Sequence, residues 1–260
     1  MTPTALITGA SAGIGLELAR RFAAGGYALA LTARRGDELA RIADELKGRY
    51  GVPVHVFPLD LAEPGGPAKL HERVTAAGLT VDVLVNNAGF GTLGRFLDTP
   101  LEQELAMIRL NVSALAELCG RFVPAMVARG SGRVLNVGSV AGFQPGPLMA
   151  MYYATKAFVL SFSEALWVEL LGTGVSVTCL APGPVHTEFA ARAGMTRTRL
   201  FTGGNVMTAA AVADAGYRAT LAGKRLEVPG LRNKLLTFAV RFAPRRLVLR
   251  VVRRFQMKRK

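Results

Sequence analysis

Apolar residues along this chain follow two alternating patterns. Short, nearly continuous apolar runs are separated by longer stretches in which apolar residues recur every three or four positions. The first pattern is typical of buried β-strands and the second of amphipathic helices. The short runs predict strands at Thr4–Thr8, Tyr27–Ala33, Pro53–Phe57, Val81–Asn86, Gly132–Val137, Val175–Leu180 and Leu226–Val228. The longer stretches predict helices at Gly13–Ala24, Asp37–Tyr50, Pro67–Ala77, Leu101–Ala128, Met151–Leu171 and Ala209–Ala222.

The alternation of strands and helices indicates repeated βαβ units, which build a parallel sheet. We therefore expect an α/β fold with one doubly wound, Rossmann-like domain over residues 1–230. A helical extension is expected over residues 231–260. The length of 260 residues, half of them hydrophobic, suffices for one large core.

Other features of the sequence predict a cytoplasmic protein. Cys119 and Cys179 lie far apart in apolar stretches, and we expect two reduced core thiols. Met1-Thr2-Pro3 leads directly into a strand, so no secretory leader is expected. We also expect no stretch long and apolar enough to cross a bilayer.

A glycine-rich turn joins the first predicted strand to the first predicted helix. It reads Thr8-Gly9-Ala10-Ser11-Ala12-Gly13-Ile14-Gly15. Glycines let the backbone approach a pyrophosphate closely, and a helix N-terminus presents free N–H groups to an anion. The turn therefore predicts a dinucleotide site, although a merely tight connection would look the same.

A second motif carries acid–base chemistry. Tyr152 and Lys156 stand one helical turn apart, thirteen residues after Ser139. The ammonium of Lys156 favours the phenolate of Tyr152, which brings the tyrosine pKa towards the working pH. Ser139 can donate a hydrogen bond to a substrate oxygen as charge develops there. Tyr153 is the weaker candidate, because only Tyr152 has a lysine four positions later.

These motifs together resemble the short-chain dehydrogenase/reductase family, over nearly all of Thr4–Val228. The matching pieces are the glycine turn, Asn86-Asn87-Ala88-Gly89, Asn111, Ser139, Tyr152 with Lys156, Pro182-Gly183 and Thr187. Ala33-Arg34-Arg35 and Gly142-Phe143-Gln144-Pro145-Gly146-Pro147 are similar to one group within that family. The resemblance implies a nicotinamide-dependent oxidoreductase with no metal.

The resemblance also implies roles for individual residues. The catalytic set would be Asn111, Ser139, Tyr152 and Lys156, in which Asn111 anchors a water and Lys156 also holds the nicotinamide ribose. The cofactor would contact Gly9, Ser11, Gly13, Ile14, Gly15, Arg34, Arg35, Asp60, Asn87, Tyr152, Lys156, Val185 and Thr187. Among these, Asp60 would bind the adenine amino group, although a helix N-cap or a turn acid at that position is an equal alternative.

Two arginines follow the second strand, where an acid would select NAD. Arg34 and Arg35 can bind the 2′-phosphate of NADP by paired hydrogen bonds. The alternative is that both are solvated charges at a helix start. We expect NADP(H) as the cofactor.

The predicted substrate pocket is apolar. We expect Phe90, Leu93, Phe143, Pro145 and Met149 to line it, together with a mobile loop in residues 187–207 that contains Gly203-Gly204. These residues favour a lipophilic ketone or aldehyde, interconverted with its alcohol.

Positive charge is concentrated at the end of the chain. The formal net charge is +14, and the stretch from Lys224 to Lys260 holds 13 of the 32 basic residues but only one acid, Glu227. The remainder is nearly neutral, with 19 basic and 17 acidic residues. The basic character therefore belongs to the tail.

The tail predicts two amphipathic helices. Apolar residues recur at helical spacing in Leu231, Leu235, Phe238, Ala239 and Phe242, and after Pro244 in Leu247, Val248, Val251, Val252 and Phe255. Such a basic amphipathic pair suits a membrane surface. The equal alternative is that its apolar stripe closes over the substrate pocket or a subunit interface. Nucleic-acid binding is disfavoured, since no reading motif accompanies the charge.

Two wider expectations remain. Proteins of this family pair through the long fourth and fifth helices, so the resemblance implies a homo-oligomer. A different class of function is a cofactor-binding scaffold that tethers lipids or partners through the tail without turnover. The Asn-Ser-Tyr-Lys set argues against it, because a scaffold has no use for these residues.

Overall fold

The computed structural model describes residues 2–196, 198–202 and 206–257. Its centre is a seven-stranded parallel sheet with the order β3-β2-β1-β4-β5-β6-β9. The strands of this sheet are β1 (Thr4–Thr8), β2 (Ala28–Ala33), β3 (Val54–Pro58), β4 (Val81–Asn86), β5 (Gly132–Val137), β6 (Val175–Leu180) and β9 (Leu226–Glu227). A separate two-stranded sheet pairs β7 (Val185–His186) with β8 (Met207–Thr208).

Helices cover the sheet between the strands. They are α1 (Gly13–Ala24), α2 (Gly36–Tyr50), α3 (Gly66–Ala76), α4 (Leu101–Ile108), α5 (Leu115–Ala128), α6 (Ala150–Glu169), α7 (Glu188–Arg192), α8 (Arg199–Thr202), α9 (Ala209–Leu221), α10 (Leu231–Ala239) and α11 (Arg245–Gln256). One core packs α1, α2 and α9 against one face of the sheet, and a second packs α3, α5 and α6 against the other. The predicted doubly wound α/β fold is confirmed.

The strand order positions the functional site. The chain runs outward through β2 and β3 on one side of β1 and then returns to β4 on its other side. Loops that leave the carboxyl ends of neighbouring strands on the two sides of such a reversal diverge and leave a crevice. The glycine turn follows β1 at this crevice.

Most predicted elements are present with ends that differ by one or two residues. The main difference is the predicted helix Leu101–Ala128, which contains a π-helical segment at Arg109–Ala114 between α4 and α5. Sequence periodicity does not reveal this segment, because one wider turn shifts the apolar stripe only slightly. The loop glycines Gly203 and Gly204 lie outside the described residues.

The run Leu101–Ala128 also corrects a second expectation. By length and composition alone it is long and apolar enough to cross a membrane. Its inner residues, including Leu118, Phe122 and Met126, pack in the core beneath the sheet. We therefore assign it to the core of the domain. The two cysteines, Cys119 and Cys179, are free and buried, as expected.

The tail folds back onto the domain. Both predicted tail helices form, and Pro244 is the N-cap residue that immediately precedes the second one. Val248 and Gln256 of α11 are buried. The tail therefore packs against the domain formed by the residues before it.

Candidate active site

A cavity of about 630 Å³ lies at the carboxyl ends of the strands. Its wall contains the glycine turn at one end and Ser139, Tyr152 and Lys156 at the other. Residues from β7, α7 and both tail helices complete it. One cavity thus brings together the two motifs that are more than 120 residues apart in the sequence.

The glycine turn leaves no room for side chains. A Cβ at Gly15 would lie 2.3 Å from the carbonyl oxygen of Gly9, and Gly9 itself has a φ of +65°. The first helix begins after Ala12 with no side-chain cap and no acid in its first turn. Its N–H groups and positive dipole end therefore remain available to an anion. The turn fits the pyrophosphate of a dinucleotide.

Asn87 fixes the shape of this turn from β4. Its side-chain amide donates to the carbonyl oxygens of Thr8 at 2.9 Å and Gly9 at 3.2 Å. The hydroxyl of Thr8 accepts from the backbone N–H groups of Asn87 and Ala88. Sequence reasoning did not identify Thr8 as this clamp. On the opposite wall, Thr187 lies against Gly13, where a Cβ would be 3.1 Å from its methyl group.

Arg34 and Arg35 line the same end of the cavity. The Nη2 atom of Arg35 donates to the Oγ of Ser11 at 3.2 Å and lies 3.3 Å from a carboxylate oxygen of Glu188. Arg34 lies 3.7 Å from Asp60. The guanidinium of Arg35 therefore lies beside the glycine turn, and that of Arg34 lies beside Asp60. Glu188 was not identified from the sequence.

Asp60 faces the cavity and also takes part in a turn. It lines the cavity, and its Oδ1 atom also accepts a hydrogen bond from the backbone N–H of Ala62 at 2.9 Å. The helix that follows is capped at Gly65, so Asp60 stabilises a turn and is not its N-cap.

Tyr152, Ser139 and Lys156 form one cluster at the other end. The Oγ of Ser139 accepts from the N–H of Ala141 at 3.0 Å and donates to the carbonyl oxygen of Pro182 at 3.4 Å. The Nζ of Lys156 lies 5.9 Å from the centroid of the Tyr152 ring and donates to the carbonyl oxygen of Val137 at 2.7 Å. The helix α6 places both side chains on one face, as the four-residue spacing predicts.

Burial sets the pKa values in this cluster. Loss of solvent raises the pKa of Tyr152 above its usual range, and the polar side chain of Ser139 only partly offsets this. Loss of solvent also lowers the pKa of Lys156 to about 8, against a smaller opposing effect of Cys179. The expectation of a tyrosine pKa drawn towards neutrality by Lys156 is therefore not met by the protein groups alone.

Asn111 lies in the π-helical segment, next to Lys156. Its Oδ1 accepts from the N–H of Phe90 at 3.1 Å, and its Nδ2 donates to the Phe90 carbonyl at 2.9 Å and to Thr155 at 3.1 Å. A Cβ at Gly89 would lie 2.9 Å from Oδ1 of Asn111 and 3.7 Å from Nζ of Lys156. The glycine therefore keeps open the space between the amide and the ammonium.

The substrate end of the cavity is mostly apolar. Met149, Met195 and Phe201 line it, and the ring of Phe189 lies 5.4 Å from the ring of Tyr152. Phe90 and Met149 were predicted correctly. The cavity wall does not include Leu93, Phe143 or Pro145. Leu93 instead packs behind the wall against the small cluster around Met149.

The tail supplies a wall that the sequence left undecided. Val248, Val252 and Gln256, on one face of α11, line the cavity. The Nε2 of Gln256 donates to the hydroxyl of Tyr153 at 2.7 Å, next to Tyr152. The alternative in which the tail closes over the pocket is thus correct for α11. No periodic signal marked Gln256, a polar residue on an otherwise apolar face.

Known proteins resemble this chain in both sequence and fold. The profile of the short chain dehydrogenase family matches residues 3–198. Sulfoacetaldehyde reductase of Chromohalobacter salexigens is 40% identical over 228 residues, which cover 85% of this chain and 83% of that protein.

Two solved structures extend the similarity to the tertiary level. A short-chain dehydrogenase from Sphingobium yanoikuyae in complex with NADPH has 35% identity and a TM-score of 0.81, covering 92% of this chain and 94% of that one. The bulky-bulky ketone specific alcohol dehydrogenase from Comamonas testosteroni has 31% identity and a TM-score of 0.79, covering 92% of both chains. The chain therefore belongs to the short-chain dehydrogenase family and is an oxidoreductase that acts on CH–OH groups with a nicotinamide cofactor.

Proposed function

We propose that this enzyme uses NADP(H) to interconvert a lipophilic ketone or aldehyde and its alcohol, with Tyr152 as the general acid and base. One observation carries the proposal. The Ser139–Tyr152–Lys156 cluster and an uncapped, glycine-lined helix N-terminus lie in the same cavity.

The first part of the proposal is the choice of NADP(H). When bound, the reduced nicotinamide supplies the hydride. Gly9, Ser11, Gly13, Ile14 and Gly15 would hold the pyrophosphate, and Arg34 with Arg35 the 2′-phosphate. Asp60 and Asn87 would lie on the adenosine side, and Val185 and Thr187 beside the nicotinamide. Support comes from the two arginines, which both line the cavity and of which Arg35 contacts the glycine turn, and from the lack of an acid at the end of β2.

The second part is the proton path through this chain's own residues. Ser139 donates a hydrogen bond to the substrate oxygen, and Tyr152 donates its proton there as negative charge develops. Lys156 restores the proton, which its pKa of about 8 makes easy to release near neutral pH. Asn111, across the open space at Gly89, holds the water that links Lys156 to solvent.

The third part is the substrate class. The walls beside Tyr152 are formed by methionine and aromatic side chains, with the valines of α11 opposite. Burial of an apolar substrate against such walls is favourable, at about 25 cal/mol per Å² of apolar surface. Arg192, Arg199 and Arg232 also line the cavity, and the guanidinium of Arg192 lies 2.6 Å from Glu188. The apolar walls beside Tyr152 are therefore the ground for proposing a bulky, uncharged carbonyl, and a small anion is the comparison that tests it.

A substrate panel tests the proposal. NADPH and NADH oxidation would be followed by absorbance with long-chain aldehydes, cyclic and aryl ketones, and sulfoacetaldehyde as the small anionic comparison. We expect the highest kcat/KM with NADPH and an apolar carbonyl. A preference for NADH would contradict the proposed cofactor, and a preference for sulfoacetaldehyde would contradict the proposed substrate class. A lack of turnover with every compound would favour the cofactor-binding scaffold.

We also propose a cytoplasmic homo-oligomer with peripheral membrane contact through the tail. Leu101 and Leu105 are exposed one turn apart on α4, Val168 is exposed in the last turn of α6, and Leu171 is exposed just after it. These positions support pairing through the fourth and fifth predicted helices. Light scattering of the purified protein tests the assembly.

A further inference from the structure

Exposed apolar side chains are concentrated in the tail. In the described ranges 2–196, 198–202 and 206–257, sixteen large apolar residues are exposed, and ten of them lie between Leu231 and Met257. On α10 and in the turn that follows it, they form a stripe at Leu231, Leu235, Phe238 and Phe242, with Leu231 74% and Phe242 75% exposed. None of these four lines the cavity. The apolar side of α10 therefore faces outward.

A second group of tail residues forms the rim of the cavity. Leu236 on α10 and Leu247, Val251 and Phe255 on α11 line the cavity and are also exposed. A side chain with both properties lies where the cavity meets the outside. Leu236 follows Leu235 and lies about 100° further round α10, so the rim begins on the side of the helix next to the stripe. The substrate end of the cavity thus opens beside the stripe, at exposed apolar side chains of both tail helices.

The charge of the tail indicates which kind of partner the α10–α11 surface can bind. Residues 231–260 contain eleven basic residues and no acid. Six arginines lie on or beside α11 in the described part, at positions 241, 245, 246, 250, 253 and 254. A second copy of the chain would bring two such positive faces together, and a nucleic acid would leave the apolar stripe uncovered. An anionic bilayer accepts both features, since its headgroups attract arginines and its acyl chains take up apolar side chains.

We propose that the α10–α11 face docks on an anionic phospholipid bilayer with the cavity rim against the lipid, so that a lipophilic carbonyl enters the site directly from the membrane. The entry route rests on the proposed substrate class, whereas the docking itself does not. The stripe on α10 inserts among the acyl chains, and the arginines contact the phosphates. The rim residues then form a continuous apolar path between the bilayer interior and the cavity.

Vesicle co-sedimentation tests the docking without any turnover. Full-length protein would be mixed with vesicles of phosphatidylcholine alone or with phosphatidylglycerol. We expect binding to the anionic vesicles only, and weaker binding in 1 M salt, where the Debye length is about 3 Å. Leu235→Glu with Phe242→Glu should lower the partition coefficient at least about tenfold. Thr75→Glu with Ala76→Glu, on exposed positions of α3, adds the same charge and should leave binding unchanged.

Four results would overturn the docking. Equal binding to both vesicle types would show that charge plays no part, and equal binding of the two double variants would show that the stripe plays none. A change in sedimentation velocity that depends on Phe242, with no vesicle binding, would assign the face to a second copy. Displacement of the protein from vesicles to duplex DNA would assign it to nucleic acid.

Kinetics test the entry route. The Leu235→Glu, Phe242→Glu variant should keep its kcat/KM for a water-soluble ketone and lose at least about tenfold for a long-chain aldehyde embedded in anionic vesicles. Equal rates for the embedded aldehyde would overturn direct entry. If vesicle binding is normal but no carbonyl is turned over, the proposed function fails and the docking stands. If turnover is normal but the stripe variant binds vesicles like the wild type, the docking fails and the function stands.

Discussion

The side-chain amide of Gln256 donates a hydrogen bond of 2.7 Å to the hydroxyl of Tyr153, 103 positions earlier in the chain. Gln256 lies in the last turn of α11, and Tyr153 follows the proposed catalytic residue Tyr152. Gln256 is buried, and its Oε1 atom has no partner among the described residues. This hydrogen bond connects the tail to α6, the helix that carries the proposed chemistry.

Loss of that contact should destabilise the protein. Gln256→Leu leaves the buried Tyr153 hydroxyl unpaired, which costs about 1–3 kcal/mol in the free energy of unfolding. Urea denaturation would measure it. The double variant Gln256→Leu, Tyr153→Phe removes both partners and should recover most of the loss. A double variant as unstable as the single one would mean that Gln256 acts through packing alone.

Tyr152→Phe should leave the fold and NADPH binding intact while kcat falls by about 10²–10⁴-fold, because no proton donor remains at the substrate oxygen. Stopped-flow turnover and dinucleotide fluorescence titration would measure the two properties. Tyr153→Phe is the matched control and should keep most of the turnover. Near-normal turnover of the Tyr152→Phe variant would refute its role.

Arg35→Ala should raise the KM for NADPH by about tenfold to a hundredfold and leave the KM for NADH unchanged. A charge-assisted hydrogen bond contributes about 1.5–3 kcal/mol, and only NADPH has the 2′-phosphate that would accept it. Arg41→Ala is a suitable control, since Arg41 is an exposed arginine of α2 paired with Glu38. Equal changes for both dinucleotides would contradict the selectivity of Arg35.

The burial of Lys156 predicts a pH dependence of stability. Its pKa of about 8 in the folded protein lies below the ordinary value of 10.5, so between these values the unfolded chain binds more protons. The free energy of unfolding should therefore rise with pH across this window, by about 3 kcal/mol in total, relative to Lys156→Met. Denaturation of both proteins from pH 7 to 10.5 would measure the difference. The cysteines do not disturb the comparison, because both proteins contain them. A constant difference would mean that the ammonium is solvated.

Local patterns predicted most of the site. The glycine turn depends on contiguous residues, and the Tyr152–Lys156 pair depends on one helical turn, so the sequence alone locates both. Long-range pairings leave no such trace. Nothing in the sequence connects Gln256 to Tyr153 or Glu188 to Arg35, because these contacts depend on how the tail and the small β7–β8 sheet pack. The sequence also could not show whether each apolar stripe of the tail faces the cavity or the outside, because the same spacing of apolar residues occurs on α11 and on α10.

The reactivity of the two buried cysteines can be used to measure how often the folded protein opens. Burial raises the pKa of both thiols to about 12, so almost no thiolate forms at neutral pH. Cys179 lies next to Gly138, where a Cβ would be 3.0 Å from its sulfur, directly behind the Ser139 loop. An aromatic disulfide reagent can therefore react only when the structure transiently opens, and the rate of colour release gives the opening equilibrium under native conditions.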